Sequence, residues 1–292
     1  MNQGLFIWGY IIMKSIGKIA ATTLFVLLIS SGMLANKVST AEIEAAPQIA
    51  GEYGVTIDAV TGQILFNKNA YSKAYPASMT KVLTATILDE RIEDGNMLTV
   101  SSHAANQECI CLGLRAGERI SKQDAMKALL LLSANDVAVA IAENVAGSEE
   151  GFAQLMNQKV KQWGLKNTHF VTPDGLHNPN HFTTPYEMAL ITKEAIKHPS
   201  VLEAMSTQTT TIKTNMHVKN IRNLINIQSQ PDVIAGKPGF TNAAQHTLVE
   251  YLKKDNKEII SVVMKTNKKS KYKDVQSMAS FSFAHMGQAH HR

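Results

Sequence analysis

Three short stretches combine the residue types that nucleophilic catalysis requires. The first is Ser78-Met79-Thr80-Lys81. A serine and a lysine three apart on a helix share one face. The lysine serves as a base toward the serine hydroxyl only if desolvation or a second cation lowers its pKa. A serine in the first helical turn also holds its own backbone N–H near the charge that develops on the attacked group. The second stretch is Ser133-Ala134-Asn135, the one Ser-x-Asn in the chain. The Ser133 hydroxyl can relay a proton, and the Asn135 amide can hold both a lysine and a substrate carbonyl. The third is Lys237-Pro238-Gly239, followed by Phe240 and Thr241. Lys237 would lower the pKa of Lys81 and attract a carboxylate. Gly239 lets the backbone approach a ligand closely, and the Phe240 N–H can serve as a second oxyanion donor. Each stretch also has an ordinary explanation. Ser15/Lys18 and Ser270/Lys273 repeat the first spacing by chance. Ser133 or Asn135 can cap a helix, and Pro-Gly can be a plain turn.

Elements must bring the three stretches together. Tyr53–Ile57 and Gln63–Phe66 read as a β-hairpin around Asp58–Gly62. Ser78–Asp94 reads as a helix after Pro76, with Met79, Val82, Leu83 and Ile87 on its apolar face. Further helices are expected over Ser121–Leu132, Asp136–Val145 and Glu149–Trp163, the last ended by Gly164. Thr184-Pro185-Tyr186-Glu187 is a capping box that opens a helix to about Lys197. Thr209–Lys213, Thr247–Leu252 and Ile259–Met264 read as strands, and Tyr272–Phe283 as a last helix. Strands, a block of helices, then strands predict an α+β fold: an antiparallel sheet with helices packed against it and a helical subdomain.

Ile19–Leu34 is an almost continuous run of apolar and small residues behind Lys14 and Lys18, with Ser39-Thr40-Ala41 after it. That order predicts a secretory signal peptide over residues 1–41, cleaved after Ala41, with Met1 or Met13 as the start. The alternative is an uncleaved anchor, the only membrane contact expected. Residues 42–292 then form one exported domain, secreted or associated with the cell wall. At 292 residues, 45% hydrophobic and +5 net charge, the chain is far too apolar for disorder. A modest positive balance suits an anionic polymer such as a cell wall. No basic run is interleaved with aromatics, so nucleic acid is not an expected partner. Cys109 and Cys111 read as structural or incidental thiols rather than a redox or metal pair, because a disulfide across one residue of an extended strand would be strained. Two thiols without further ligands make no zinc site, and no metal is expected.

Together, and in this order, the motifs are similar to the three signatures of penicillin-recognising serine enzymes, S-x-x-K, S-x-N and K-T-G. The chain resembles the low-molecular-mass D-alanyl-D-alanine carboxypeptidases over roughly Tyr53–Phe283. Tyr75–Lys81, Leu132–Asp136, Gly164–Phe170 and Pro173-Asp174-Gly175-Leu176 carry the likeness. The resemblance implies that Ser78 attacks the bond between two terminal D-alanines of a peptidoglycan stem peptide. It implies Lys81 as general base and Ser133 and Lys237 as proton relay. Asn135, Lys237, Gly239, Phe240 and Thr241 would bind substrate. It implies acylation by β-lactams and no cofactor.

Two departures stand out. Pro238 replaces the threonine of the third signature, with Thr241 as the nearest substitute hydroxyl. Lys265-Thr266-Asn267-Lys268 lacks the arginine the family often carries there. The chain is also shorter than relatives that carry a second β-rich domain and a terminal amphipathic helix, which is why a single catalytic domain is expected. Three rival readings differ in chemistry. A β-lactamase needs Glu-x-x-Leu-Asn, whereas Glu187-Met188-Ala189-Leu190 is followed by Ile191. A catalytically weak penicillin-binding wall protein is motivated by Pro238. A zinc-dependent peptidase needs clustered histidines, and the ten here are scattered.

Overall fold

The computed structural model describes residues 45–108 and 110–287. The expected signal segment and its cleavage point lie outside the described residues. Five strands form one antiparallel sheet in the order β2-β1-β9-β8-β7. They are β1 Tyr53–Asp58, β2 Ile64–Lys68, β7 Val233–Thr241, β8 Gln245–Lys254 and β9 Lys257–Thr266. Two small antiparallel pairs accompany it: β3 Met97–Thr99 with β4 Arg119–Ser121, and β5 Thr209–Lys213 with β6 Val218–Arg222. The α+β expectation holds.

Alternation along the central strands explains why the sheet is covered on both faces. On β9, Ile260, Val262 and Met264 join the larger core, and Ile259 and Val263 the smaller. The smaller core lies beneath α8, Lys271–His285, which contributes Val275, Met278, Ala279 and Phe283. The larger core holds α1, Lys81–Arg91, buried at every position from Lys81 to Leu88. It also holds α4, Asn135–Ala146, buried from Asn135 to Ala142. Helix turns buried all round belong in a core, and these two carry Lys81 and Asn135. The remaining helices are α2 Ser102–Ala105, α3 Lys122–Lys127, α5 Glu149–Gln162, α6 Pro185–Ala195 and α7 Pro199–Ser206.

Several local expectations are corrected. Ser78 lies in a 3-10 turn, Ala77–Thr80, rather than in the α-helix that follows. Helix α3 runs into a π-turn, Ala128–Leu132, ended by Ser133 in the left-handed conformation at φ 65°. The capping box is half formed. Thr184 accepts from Glu187 N at 3.1 Å, but the Glu187 carboxylate instead accepts from Lys166 N, Asn167 N and Thr168 Oγ1. Lys237-Pro238-Gly239 lies inside β7, an edge strand, and the alternative of a plain turn falls away. A proline without N–H is tolerated there. Cys111 is disulfide-bonded rather than a thiol. The expectation assumed a strand, whereas residues 111–115 have no strand pairing. Cys109 lies outside the described residues.

Candidate active site

The three stretches converge. Lys81 is fully buried, and its Nζ lies 2.8 Å from Asn135 Oδ1, 2.7 Å from the Asp174 carbonyl and 3.2 Å from Ser78 Oγ. A neutral amine has two N–H groups and one lone pair. The two fixed acceptors, Asn135 and Asp174, can take both N–H groups, which leaves the lone pair facing the Ser78 hydroxyl. Burial lowers the Lys81 pKa to about 8, against the pull of the Asp174 and Asp136 carboxylates. The group is therefore within reach of the neutral form near physiological pH.

Lys237 closes the other side. It too is fully buried, and its Nζ donates to Ser133 Oγ at 2.9 Å and to the Pro238 carbonyl at 3.0 Å. Burial, then the charge of Lys81, then that of Lys271 hold its pKa well below the usual lysine range. The site thus disfavours two simultaneous ammonium charges. Left-handed backbone marks both hydroxyls: Ser133 has φ 65°, and Ala77, just before Ser78, has φ 50°. Such conformations cost of order 1–3 kcal/mol at non-glycine residues and persist where surrounding structure enforces them.

Two glycines permit the close approaches that assemble the site. A Cβ on Gly239 would lie 2.5 Å from Thr247 Oγ1 and 2.9 Å from Ser78 N. Only glycine lets β7 pass this near the nucleophile's backbone. Gly175, at φ 83°, faces the same turn from the other side, where a Cβ would lie 2.0 Å from the Ala77 carbonyl oxygen. The Pro238 carbonyl accepts from Lys237 Nζ. Pro238 therefore presents its carbonyl on the side of β7 away from β8. Two residues on, Phe240 presents its N–H on that same side.

Several contributors carry no signature that sequence reasoning picked out. Thr247 Oγ1 donates to the Pro76 carbonyl at 3.0 Å and ties the nucleophile turn to the sheet. Thr84 Oγ1 donates to the Pro173 carbonyl at 2.6 Å. His181 is buried, and its Nδ1 accepts from Val171 N and Thr172 N at 3.1 and 3.3 Å. Its Nε2 therefore carries the proton and donates to Thr80 Oγ1 at 2.8 Å. Burial lowers its pKa to about 3, aided by His169, Lys81 and His177, so it stays neutral. One histidine among ten gives no sign of such a role. Thr241 lines the cleft, but its Oγ1 already accepts from Ala244 N at 3.0 Å. The expected substitute hydroxyl is thus partly engaged in its own turn. Among the described residues, no group of His, Cys, Asp and Glu could hold a metal ion.

A cleft of about 760 Å³ opens onto Ser78 and Asn135. Glu108 and Ile110 line it from one loop, Gly175, Leu176 and His177 from another, and Phe240, Thr241, Asn242 and Ala243 from β7 and the turn after it.

Known proteins share this architecture. Residues 40–268 match the family model described as D-alanyl-D-alanine carboxypeptidase. The chain is similar to the D-alanyl-D-alanine carboxypeptidase DacF of Bacillus subtilis, 34% identical over 240 residues, covering 79% of this chain and 61% of that protein. It is 30% identical to DacD of Escherichia coli over 257 residues, covering 84% and 66%. The chain thus spans less than two thirds of the length of these curated relatives. A solved D-alanyl-D-alanine carboxypeptidase of Mycobacterium tuberculosis superposes with a TM-score of 0.80 at 25% identity, covering 85% of this chain and 97% of that one. The Streptomyces K15 DD-transpeptidase superposes at 0.78 and 23% identity, over 82% and 99%, a likeness of fold.

Proposed function

The chain belongs to the D-alanyl-D-alanine carboxypeptidase family, and from that premise we propose that it removes the terminal D-alanine from peptidoglycan stem peptides. The observation that carries the reading is the environment of Lys81: a buried amine, two fixed acceptors, and a serine hydroxyl in the remaining direction.

Ser78 Oγ attacks the carbonyl between the two D-alanines, and its proton passes to neutral Lys81 Nζ. The Ser78 and Phe240 N–H groups receive the negative charge on the carbonyl oxygen. Lys81 then returns a proton through the Ser133 hydroxyl to the departing D-alanine nitrogen, and the C–N bond breaks. Lys237 orients Ser133 throughout. The substrate carboxylate favours a charge on Lys237, which in turn favours neutral Lys81. Asn135 and Gly239 complete the cradle. Water, deprotonated by Lys81, hydrolyses the ester on Ser78. A β-lactam enters the same path as far as the ester.

The same reading places the protein outside the cytoplasm at the cell wall, with residues 1–41 as its export signal and 42–292 as its catalytic domain. N-terminal sequencing of the exported protein tests the cleavage after Ala41. The activity is tested by D-alanine release from diacetyl-L-lysyl-D-alanyl-D-alanine. Release by the wild type and none by Ser78→Ala is expected; no release by the wild type overturns the proposal. A second reading, a slow penicillin-binding wall protein, is favoured by Pro238, which supplies no hydroxyl, and by the engaged Thr241. Stoichiometric penicillin binding without D-alanine release would select it.

A further inference from the structure

We propose that the outward face of strands β4, β5 and β6 is a binding surface for a linear phosphodiester polymer, held by Arg119, Lys213 and Arg222. The surface lies apart from the catalytic cleft, and the inference does not depend on the reaction assigned there.

The β5–β6 ribbon has two unlike faces. Ile212 of β5 and Ile221 of β6 are buried in the larger core. The alternate residues Thr209, Thr211, Lys213, Val218, Asn220 and Arg222 are all exposed. Thr209 pairs with Arg222, Thr211 with Asn220 and Lys213 with Val218, so the six share the outward face. Strand β4 adds the third cation. A bridge joins Ile120 to Thr214, and Arg119 N donates to Asn215 Oδ1 at 2.7 Å. Ile120 is fully buried, so Arg119 beside it faces outward, diagonally across from Lys213.

The three cations are uncommitted. Among the described residues, none of their side chains has a hydrogen-bond or ion-pair partner. The nearby acids are engaged elsewhere. Glu118 is buried beneath the hairpin turn, where Thr214 Oγ1, His217 Nδ1 and Arg115 N surround its carboxylate. Asp124 accepts from the backbone of Lys213 at 3.4 Å. The Glu118 clasp fastens the hairpin turn to the loop before β4, so the cations stand on a frame already in place.

Their spacing points to the occupant. Lys213 lies four residues along β5 from Thr209, the partner of Arg222, a span of about 13 Å. Between them, Thr211 Oγ1 donates to Asn220 Oδ1 at 2.7 Å, which leaves the Asn220 NH2 group to donate outward. Cations at the two ends with neutral donors between them suit a chain that carries its charge at intervals. The forked donors of Arg119 and Arg222 suit phosphate oxygens. A bilayer is the rival occupant, because Met216 and Val218 are 49% and 65% exposed. Those two sit at one end only, and the face carries no aromatic residue, so the polymer is the better fit.

The test is binding of fluorescently labelled poly(glycerol phosphate), free of lipid, followed by anisotropy. Wild type is compared with the triple variant Arg119→Gln/Lys213→Gln/Arg222→Gln. A second triple, Lys254→Gln/Lys269→Gln/Lys273→Gln, removes the same charge from exposed lysines elsewhere. Melting temperatures check folding. The first triple should bind about thirtyfold more weakly, about threefold for each exposed cation, and with a shallower salt dependence. The second should stay within about twofold of the wild type, because distant charges are screened. D-alanine release from a small soluble peptide should be the same in all three proteins, so the carboxypeptidase reading stands or falls separately. Equal weakening in the two triples would reduce the effect to net charge and overturn the surface. Tighter binding to vesicles containing phosphatidylglycerol than to the polymer would assign the face to a membrane instead. Polyglutamate bound as tightly as the phosphate polymer, or no polymer binding by the wild type at low salt, would likewise overturn the proposal.

Discussion

The pH dependence of Ser78 acylation follows from the burial of Lys81. An ordinary lysine titrates near 10.5, and burial brings Lys81 to about 8. At pH 7 the neutral fraction rises from about 0.03% to about 9%, roughly a 300-fold gain in available base. A base works in its deprotonated form, so the acylation rate must increase with pH. It should climb about tenfold per pH unit below 7, bend near 8 and level above 9. Stopped-flow measurement of penicillin acylation from pH 6 to 9.5 reads this directly, since the β-lactam itself does not titrate in that range. Asn135→Leu sharpens the test. It removes one of the two acceptors that hold the Lys81 N–H groups, and with it the orientation of the lone pair toward Ser78. The loss is expected to be of order 100-fold, the scale of a misplaced reacting group. A flat profile between pH 6 and 9 would refute Lys81 as the base. So would retention of the wild-type rate by Lys81→Gln.

Three further outcomes follow from the same structure. Gly239→Ala puts a methyl 2.9 Å from Ser78 N and 2.5 Å from Thr247 Oγ1, so penicillin acylation should slow by about 100-fold or more, read as the second-order rate constant. Pro238→Thr adds a hydroxyl at the substrate-carboxylate end of the site; the KM for D-alanine release should fall by about tenfold, the scale of a hydrogen bond to a charged group. Glu250 is buried in β8, and among the described residues neither of its carboxylate oxygens has a hydrogen bond of good geometry; Gln230 and Lys271 lie near enough to pull only weakly against its burial. Burial raises the Glu250 pKa from 4.5 to about 8. Because the folded value is raised, the stability is fully present below pH 4.5 and is lost as pH climbs toward 8. The isosteric Glu250→Gln should therefore match the wild type near pH 4.5 and exceed it by about 3 kcal/mol at pH 7, measured by urea unfolding. A pH-independent difference would contradict this.

The chemistry of the site was legible because it is written in residue types at short spacing. Ser78/Lys81, Ser133/Asn135 and Lys237/Gly239 are each local pairs, and the fold brings all three together. The buried helices and central strands were legible from their apolar pattern. What escaped depends on partners distant in the chain. Lys237-Pro238-Gly239 has the local preferences of a turn, and only its pairing with Val249, Leu248 and Thr247 makes it a strand. The left-handed turn at Ser133 follows a π-turn among leucines, with no glycine to announce it. Helix α7 spans only eight residues and strand β6 only five, of which one is buried, so neither is long enough to stand out in the sequence. His181 reaches Thr80 across 101 positions, a contact that no spacing rule predicts.

Every proposed step begins at the Ser78 hydroxyl. The decisive measurement is intact-protein and peptide mass spectrometry after incubation with penicillin. One adduct per chain is predicted, on the peptide that contains Ser78, absent from Ser78→Ala and formed far more slowly in Lys81→Gln. An adduct on any other residue, or equal labelling of Ser78→Ala and the wild type, would contradict it.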